Sequence, residues 1–228
     1  MKYEFLLIDL DNTILDFGRT EHAALGSTLR QFGLEPTEEV RARYSVINKA
    51  HWDKLATGEM TRQQVLLGRF QTLLAEYGID CDPAECARCY ENHIANGPHY
   101  FLPGAGEALA ELAKDHKLYL ASNGTAQMQD GKLKNLGIRS LFQDIFVSET
   151  MGADKPSLTY YERCFARIEG FDPSRAMMVG DSLNADIQGG INAGIATCWL
   201  NLEGKPGNLQ PDYEISALAD LPALLKTL

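Results

Sequence analysis

Short apolar runs alternate with helical patterns along most of this chain, and the alternation is interrupted once. The runs are Phe5–Ile8, Leu118–Ala121, Ile145–Val147, Met177–Val179 and Ala196–Leu200. Each is continuously apolar, the pattern of a parallel strand buried on both faces, and the helical stretches between them supply crossovers. The texture predicts an α/β fold with a parallel sheet. Between residues 16 and 100 strand signals are absent and helix punctuation takes over. Thr37 precedes Glu38-Glu39, Thr61 stands three residues before Gln64 as in a capping box, and Asp82-Pro83 followed by Glu85 opens another helix. Gly33, Gly58, Gly78 and Gly97 mark the expected helix ends. An all-helical block is therefore expected as an insertion after the first strand, which implies two lobes with a cleft. Asn201–Asp212, with Gly204, Pro206, Gly207 and Pro211, reads as a surface loop before a last helix.

Composition narrows the function class. With 228 residues, 45% hydrophobic and 9% aromatic, the chain has the material for a packed core, which excludes a disordered or collagen-like protein. Twenty-one basic against thirty-one acidic residues give a formal charge of −10, which argues against nucleic acid or an anionic membrane as partner. A small anionic substrate stays compatible, since one basic group in a cleft outweighs a diffuse field. No apolar stretch approaches the ~18 residues of a membrane span. The N-terminal run stops at Asp9, too short for a signal-peptide core. Five cysteines, an odd number, read as reduced thiols of a cytoplasmic protein, with a monomer as the default state.

The candidate chemistry lies at strand ends, where open α/β sheets bind ligands. The first strand runs into Asp9-Leu10-Asp11-Asn12-Thr13. Asp9 and Asp11, two residues apart, share one side of an extended chain. Two carboxylates buried together call for a cation or a shared proton, and a hard ion with oxygen ligands such as Mg²⁺ suits them. The next run ends in Ser122-Asn123-Gly124, a hydroxyl and backbone N–H groups before a helix, suited to cradle an anion. Lys155 is presented from the turn Asp154-Lys155-Pro156, and Gly180-Asp181-Ser182 ends a later strand with Asp186 five residues beyond Asp181. Singly these are a solvated turn, an N-cap serine, a surface lysine and a turn aspartate. Their convergence on strand ends favours a site.

Asp9-x-Asp11-x-Thr13, Ser122, Lys155 and Gly180-Asp181 with Asp186 resemble, in order and spacing, the four motifs of the haloacid-dehalogenase superfamily. The resemblance spans the chain. It implies a Rossmann-like catalytic core, residues 1–15 and 101–228, with a helical cap, residues 16–100. Asn48-Lys49-Ala50-His51-Trp52, Gly68-Arg69-Phe70 and the run Gly189–Asn201 are similar to pyrimidine 5′-nucleotidases, which dephosphorylate nucleoside monophosphates including noncanonical ones. In that light Asp9 is the expected nucleophile, forming an aspartyl-phosphate, and Asp11 the general acid and base. To donate, Asp11 must carry its proton near neutrality, which asks for neighbouring carboxylates and partial burial. Ser122, Asn123 and Lys155 are the expected phosphate binders. Mg²⁺, replaceable by Mn²⁺ or Co²⁺, is expected on Asp9, the Asp11 main-chain carbonyl and Asp181, with Asp186 behind them orienting Lys155 or a metal-bound water. Asn48, Trp52, Arg69 and Phe70 are the expected cap residues for substrate selectivity, with Trp52 and Phe70 weighed as stacking platforms against cap core.

Cys86-x-x-Cys89 with Cys81 and His93 invites a zinc reading, which is set aside because one helix face cannot wrap a tetrahedral ion. Rival functions on the same core are a sugar-phosphate phosphatase or phosphomutase, a phosphonate hydrolase using Lys49 or Lys54, a haloacid dehalogenase and a non-catalytic scaffold. A carboxylic acid at Asp11 favours an oxygen leaving group over a halide.

Overall fold

The computed structural model describes residues 2–228. Contacts divide the chain into two compact units, Met1–Phe17 with His99–Leu228, and Gly18–Pro98. The first unit holds a parallel sheet ordered β3-β2-β1-β4-β5-β6. Its strands are β1 (Phe5–Ile8), β2 (Lys117–Ser122), β3 (Phe142–Val147), β4 (Ala176–Gly180), β5 (Ala196–Leu200) and β6 (Tyr213–Ile215). Side chains alternate across the sheet, so the continuous apolar runs feed two cores. Leu6, Ile8, Leu118, Leu120, Met177 and Val179 pack on one face. Phe5, Leu7, Tyr119, Ala121, Ala176 and Met178 pack on the other, with Tyr160, Tyr161 and Cys164. The strand β6 is not foreseen in the sequence. It has three residues, and only pairing of Cys198 to Tyr213 through Leu200 to Ile215 makes it a strand.

The second unit holds most of α1 (Phe17–Gln31), then α2 (Glu38–Ala56), α3 (Arg62–Glu76) and α4 (Pro83–Asn96). The expected caps form. Thr37 accepts from the Val40 N–H, Thr61 and Gln64 make a reciprocal capping box, and Asp82 accepts from Ala84 with Pro83 at the first turn. Gly33, Gly58 and Gly78 take positive φ after their helices, whereas Gly97 has φ −77°. Its reason for being glycine is different: a Cβ there would overlap the His93 carbonyl oxygen. The core of this unit is the aromatic trio Tyr44, Phe70 and Tyr90, with ring centroids 5.3 to 6.1 Å apart. Cys86 is buried, and Cys89 donates to Gln31 Oε1 at 3.1 Å while lying 3.7 Å from His93 Nδ1. No described helix is long and apolar enough to cross a membrane.

Candidate active site

The strand order reverses at β1, whose neighbours are β2 and β4, and the carboxyl ends of these strands carry the chemistry. After β1 the chain turns at once. Asn12 takes the left-handed conformation, φ 60°, which asparagine tolerates better than most residues, and Ile14 and Leu15 both donate back to the Leu10 carbonyl. The turn delivers the buried Thr13 hydroxyl to the loop after β4. There it accepts from the Asp181 N–H at 3.1 Å and lies 3.4 Å from Asp181 Oδ1. The Trp199 indole donates to the Asp181 carbonyl at 2.9 Å, holding the same loop from β5.

Asp9 is 7% exposed. Its Oδ1 accepts from Lys155 Nζ at 2.7 Å, and the same ammonium donates to Asp186 Oδ1 and to the Ala121 carbonyl, both at 2.6 Å. Three bonds use the ammonium's three donors. Lys155 therefore fixes Asp9 and Asp186 as placed, and a bond from it to a phosphate oxygen, the role expected of it, requires one of these three to give way. Asn123 positions that lysine: its Oδ1 accepts from the Lys155 N–H and its Nδ2 donates to the Lys155 carbonyl, at 2.8 and 2.9 Å. Asp186, 1% exposed, also accepts from the Ser182 N–H and lies across Gly180, where a Cβ would overlap its carboxylate.

Asp9, Asp181 and Asp186 each bring a carboxylate oxygen within 4.8 Å of the others, the one such cluster of potential ligands among the described residues. Three carboxylates against one ammonium leave an excess of negative charge. Burial, opposed by Lys155 and reinforced by Asp186 and Asp11, pushes Asp9 up to about 7. Burial, then Asp9 and Asp186, push Asp181 up to about 8. Burial also works against the charge of Lys155, but Asp186 and Asp9 outweigh it and hold the ammonium above its ordinary value. An all-oxygen donor set short of positive charge fits a hard divalent cation.

Ser122 ends β2 and is 2% exposed. The helix after it, α6 (Ala126–Leu136), does not leave its first N–H groups free: Thr125 accepts from Met128, and Glu149 Oε2 accepts from Ala126 at 2.8 Å. The anion cradle expected there thus reduces to the Ser122–Gly124 segment itself. The Asp11 carboxylate, close enough to Asp9 to raise it, also has a cation of its own: Lys132 Nζ holds both its oxygens at 2.8 and 2.7 Å, and Gln129 Nε2 reaches Oδ2 at 3.2 Å. Neither α6 residue was singled out in the sequence. The signal was present: at about 100° per residue, Gln129 and Lys132 fall inside the arc set by Met128, Leu133 and Leu136.

Among the cap candidates, Phe70 is fully buried in the aromatic core of its unit, so its ring is not offered to a ligand. Arg69 is 3% exposed, its guanidinium 4.8 Å from the Tyr90 ring centroid. Asn48 spends both functions inside the unit, accepting from Arg69 at 2.9 Å and donating to Glu21 at 3.4 Å. Trp52 is half-buried. The helical period that put these four on candidate faces does not reveal which face packs.

Residues 3–194 match the family model described as haloacid dehalogenase-like hydrolase. The chain is 37% identical over 225 residues to the pyrimidine 5′-nucleotidase PynA of Streptococcus pneumoniae, covering 97% of this chain and 94% of that protein. It is 30% identical to the pyrimidine 5′-nucleotidase YjjG of Escherichia coli, covering 99% of each. A crystal structure of the HAD-hydrolase YfnB from Bacillus subtilis, bound to magnesium, superposes with a TM-score of 0.93 at 37% identity, covering 99% of each chain.

Proposed function

This chain belongs to the haloacid dehalogenase-like hydrolases, and from that membership we propose that it is a phosphomonoesterase acting on nucleoside 5′-monophosphates, including noncanonical pyrimidine nucleotides. The observation that carries the reading is the buried Asp9 carboxylate, whose Oδ1 Lys155 holds at 2.7 Å and which shares a cluster of carboxylate oxygens within 4.8 Å with Asp181 and Asp186. The substrate class rests on the two pyrimidine 5′-nucleotidases that match along almost their whole lengths.

In this mechanism Asp9 attacks phosphorus and the ester oxygen departs with a proton from Asp11, leaving an aspartyl-phosphate. Asp11 then takes a proton from water, which attacks the phosphorus and releases inorganic phosphate and the Asp9 carboxylate. The Ser122 hydroxyl and the backbone N–H groups beside it bind phosphate oxygens, and Lys155 keeps the nucleophile aimed. Asp9 and Asp181, with the Asp11 main-chain carbonyl and with Asp186 close by, would hold Mg²⁺, which supplies positive charge to the transferring phosphoryl group. Of the cap candidates for selectivity, Arg69 and Phe70 are buried and Asn48 is engaged by Arg69 and Glu21, which leaves the half-buried Trp52 as the proposed contact for a base.

A panel of nucleoside monophosphates and sugar phosphates, assayed for phosphate release with Mg²⁺, tests the reading. Pyrimidine nucleotides should lead, and Asp9→Asn should abolish both turnover and ³²P labelling of the acid-quenched protein. Preferred turnover of sugar phosphates would overturn the substrate class, and full turnover by Asp9→Asn would overturn the mechanism.

A further inference from the structure

The face of α6 that enters the first unit's core carries two polar side chains where apolar ones would pack. Lys132 and Gln129 are each 1% exposed. A buried ammonium loses its hydration, and a hydrophobic residue of similar volume is often at least as stable in such a place. The Lys132 ammonium has both Asp11 oxygens on one side and the Phe17 ring, 4.7 Å to its centroid, on another. Gln129 is held as narrowly. Its Nε2 donates to Ser122 Oγ at 2.6 Å and to Asp11 Oδ2 at 3.2 Å, and its Oε1 is buried without a hydrogen-bond partner. Gly124 leaves room for this amide, since a Cβ there would overlap Gln129 Nε2. An unsatisfied buried carbonyl costs stability, so the side chain is not explained by packing.

The donor and acceptor roles follow from Asp11. A carboxylate only accepts, so the end of the Gln129 amide that faces it must be the NH₂. That same NH₂ occupies a lone pair of the Ser122 oxygen. The Ser122 O–H is then left to donate elsewhere, which is the role a phosphate oxygen requires of it. Meanwhile the two short contacts from Lys132 stop the Asp11 carboxylate from rotating.

Resting on the phosphatase reading, we propose that Lys132 and Gln129 are positioning residues for the reaction. Lys132 aims the Asp11 carboxyl at the leaving oxygen, the transferred proton being carried on the Oδ1 lone pair that neither Lys132 nor Gln129 occupies, and Gln129 presets the Ser122 hydroxyl as a donor to phosphate. One helix face thereby sets the proton-transfer group and the phosphate-binding group relative to each other.

The test uses full-length Lys132→Met, Lys132→Arg and Gln129→Leu, with rates normalised to folded protein by circular dichroism. Lys132→Met should lower kcat for uridine 5′-monophosphate by about 100-fold, the scale of a misaligned catalytic group, with KM changed less than about threefold. Turnover of p-nitrophenyl phosphate, whose leaving group needs little protonation, should fall by about tenfold or less. Lys132→Arg should recover at least about tenfold, because its planar fork can hold both carboxylate oxygens. Gln129→Leu should weaken inorganic phosphate, titrated calorimetrically with Mg²⁺, by about tenfold, as for one lost oriented hydrogen bond.

Equal losses on both substrates without rescue by arginine, or unchanged kcat with a lowered melting temperature, would make the Lys132 pair structural and overturn that half. Unchanged phosphate affinity in Gln129→Leu would overturn the other half. A wild type that turns over no ester would sink the phosphatase reading by itself, and the phosphate titration would still support or overturn the role of Gln129.

Discussion

Replacing Lys155 with methionine isolates the electrostatics of the site, because the new side chain matches the lysine stem and opens little space. Lys155 is 3% exposed and bridges Asp9, Asp186 and the Ala121 carbonyl. Without it three neighbouring carboxylates keep no ammonium among them. Removing one partner of a buried ion pair costs about 3–5 kcal/mol, a large part of the ~5–15 kcal/mol that stabilises a typical domain. At about 2–4 °C per kcal/mol for a chain of this size, the melting temperature should drop by roughly 6–20 °C. Urea unfolding in EDTA measures the loss. The companion variant is Lys155→Met with Asp186→Asn, which removes one of the orphaned charges while an amide oxygen still faces the Ser182 N–H. This double variant should be more stable than Lys155→Met alone, with a coupling energy above about 1 kcal/mol in the cycle. Mg²⁺ should restore part of the single variant's loss by bringing positive charge to the same carboxylates. A loss below about 1 kcal/mol, or a double variant no more stable than the single one, would refute the claim that Lys155 holds the cluster together.

Metal removal should act in a defined pH window. Folding raises Asp9 to about 7 and Asp181 to about 8 from an ordinary value of 3.8. Between those limits the metal-free native state binds more protons than the unfolded chain, so this contribution to stability falls as pH rises from about 4 to 8. Mg²⁺ at 100 times its dissociation constant should add about 2.7 kcal/mol, so melting curves in EDTA and in Mg²⁺ should diverge towards pH 8; parallel curves would exclude a cation at these carboxylates. Phe70→Ala should cost about 3–5 kcal/mol as a core truncation and leave the relative rates for nucleotide and p-nitrophenyl phosphate unchanged, whereas Trp52→Ala should lower kcat/KM for nucleotides about tenfold with little effect on the aryl ester, as for a lost stacking contact. Cys86, Cys164 and Cys198, which burial pushes up to about 12, should resist Ellman's reagent at pH 8 until the protein unfolds. Half-exposed Cys81 and Cys89 should react in the native state; fast labelling of all five would contradict the packing described.

The sequence by itself determined the sheet and the motif positions, because both are written in local patterns. A strand buried on both faces must be apolar at every position, so Phe5–Ile8 and Met177–Val179 announce themselves, and the polar residues just beyond each run, Asp9 and Asp181, mark the carboxyl edge of the sheet. Helix caps were legible for the same reason: Thr37, Thr61 and Asp82 act on N–H groups two or three residues away. Tertiary structure decided what depends on partners distant in the chain. Asp11 meets Lys132 across 121 positions and Asp9 meets Lys155 across 146, and no local pattern encodes such a meeting. It also decided which face of α3 is core, placing Phe70 among Tyr44 and Tyr90, and made a strand of three residues that have no strand signal of their own. A charge or ring pattern fixes what a side chain can do, but the neighbours that supply its counter-charge or cover its face come from the folded chain.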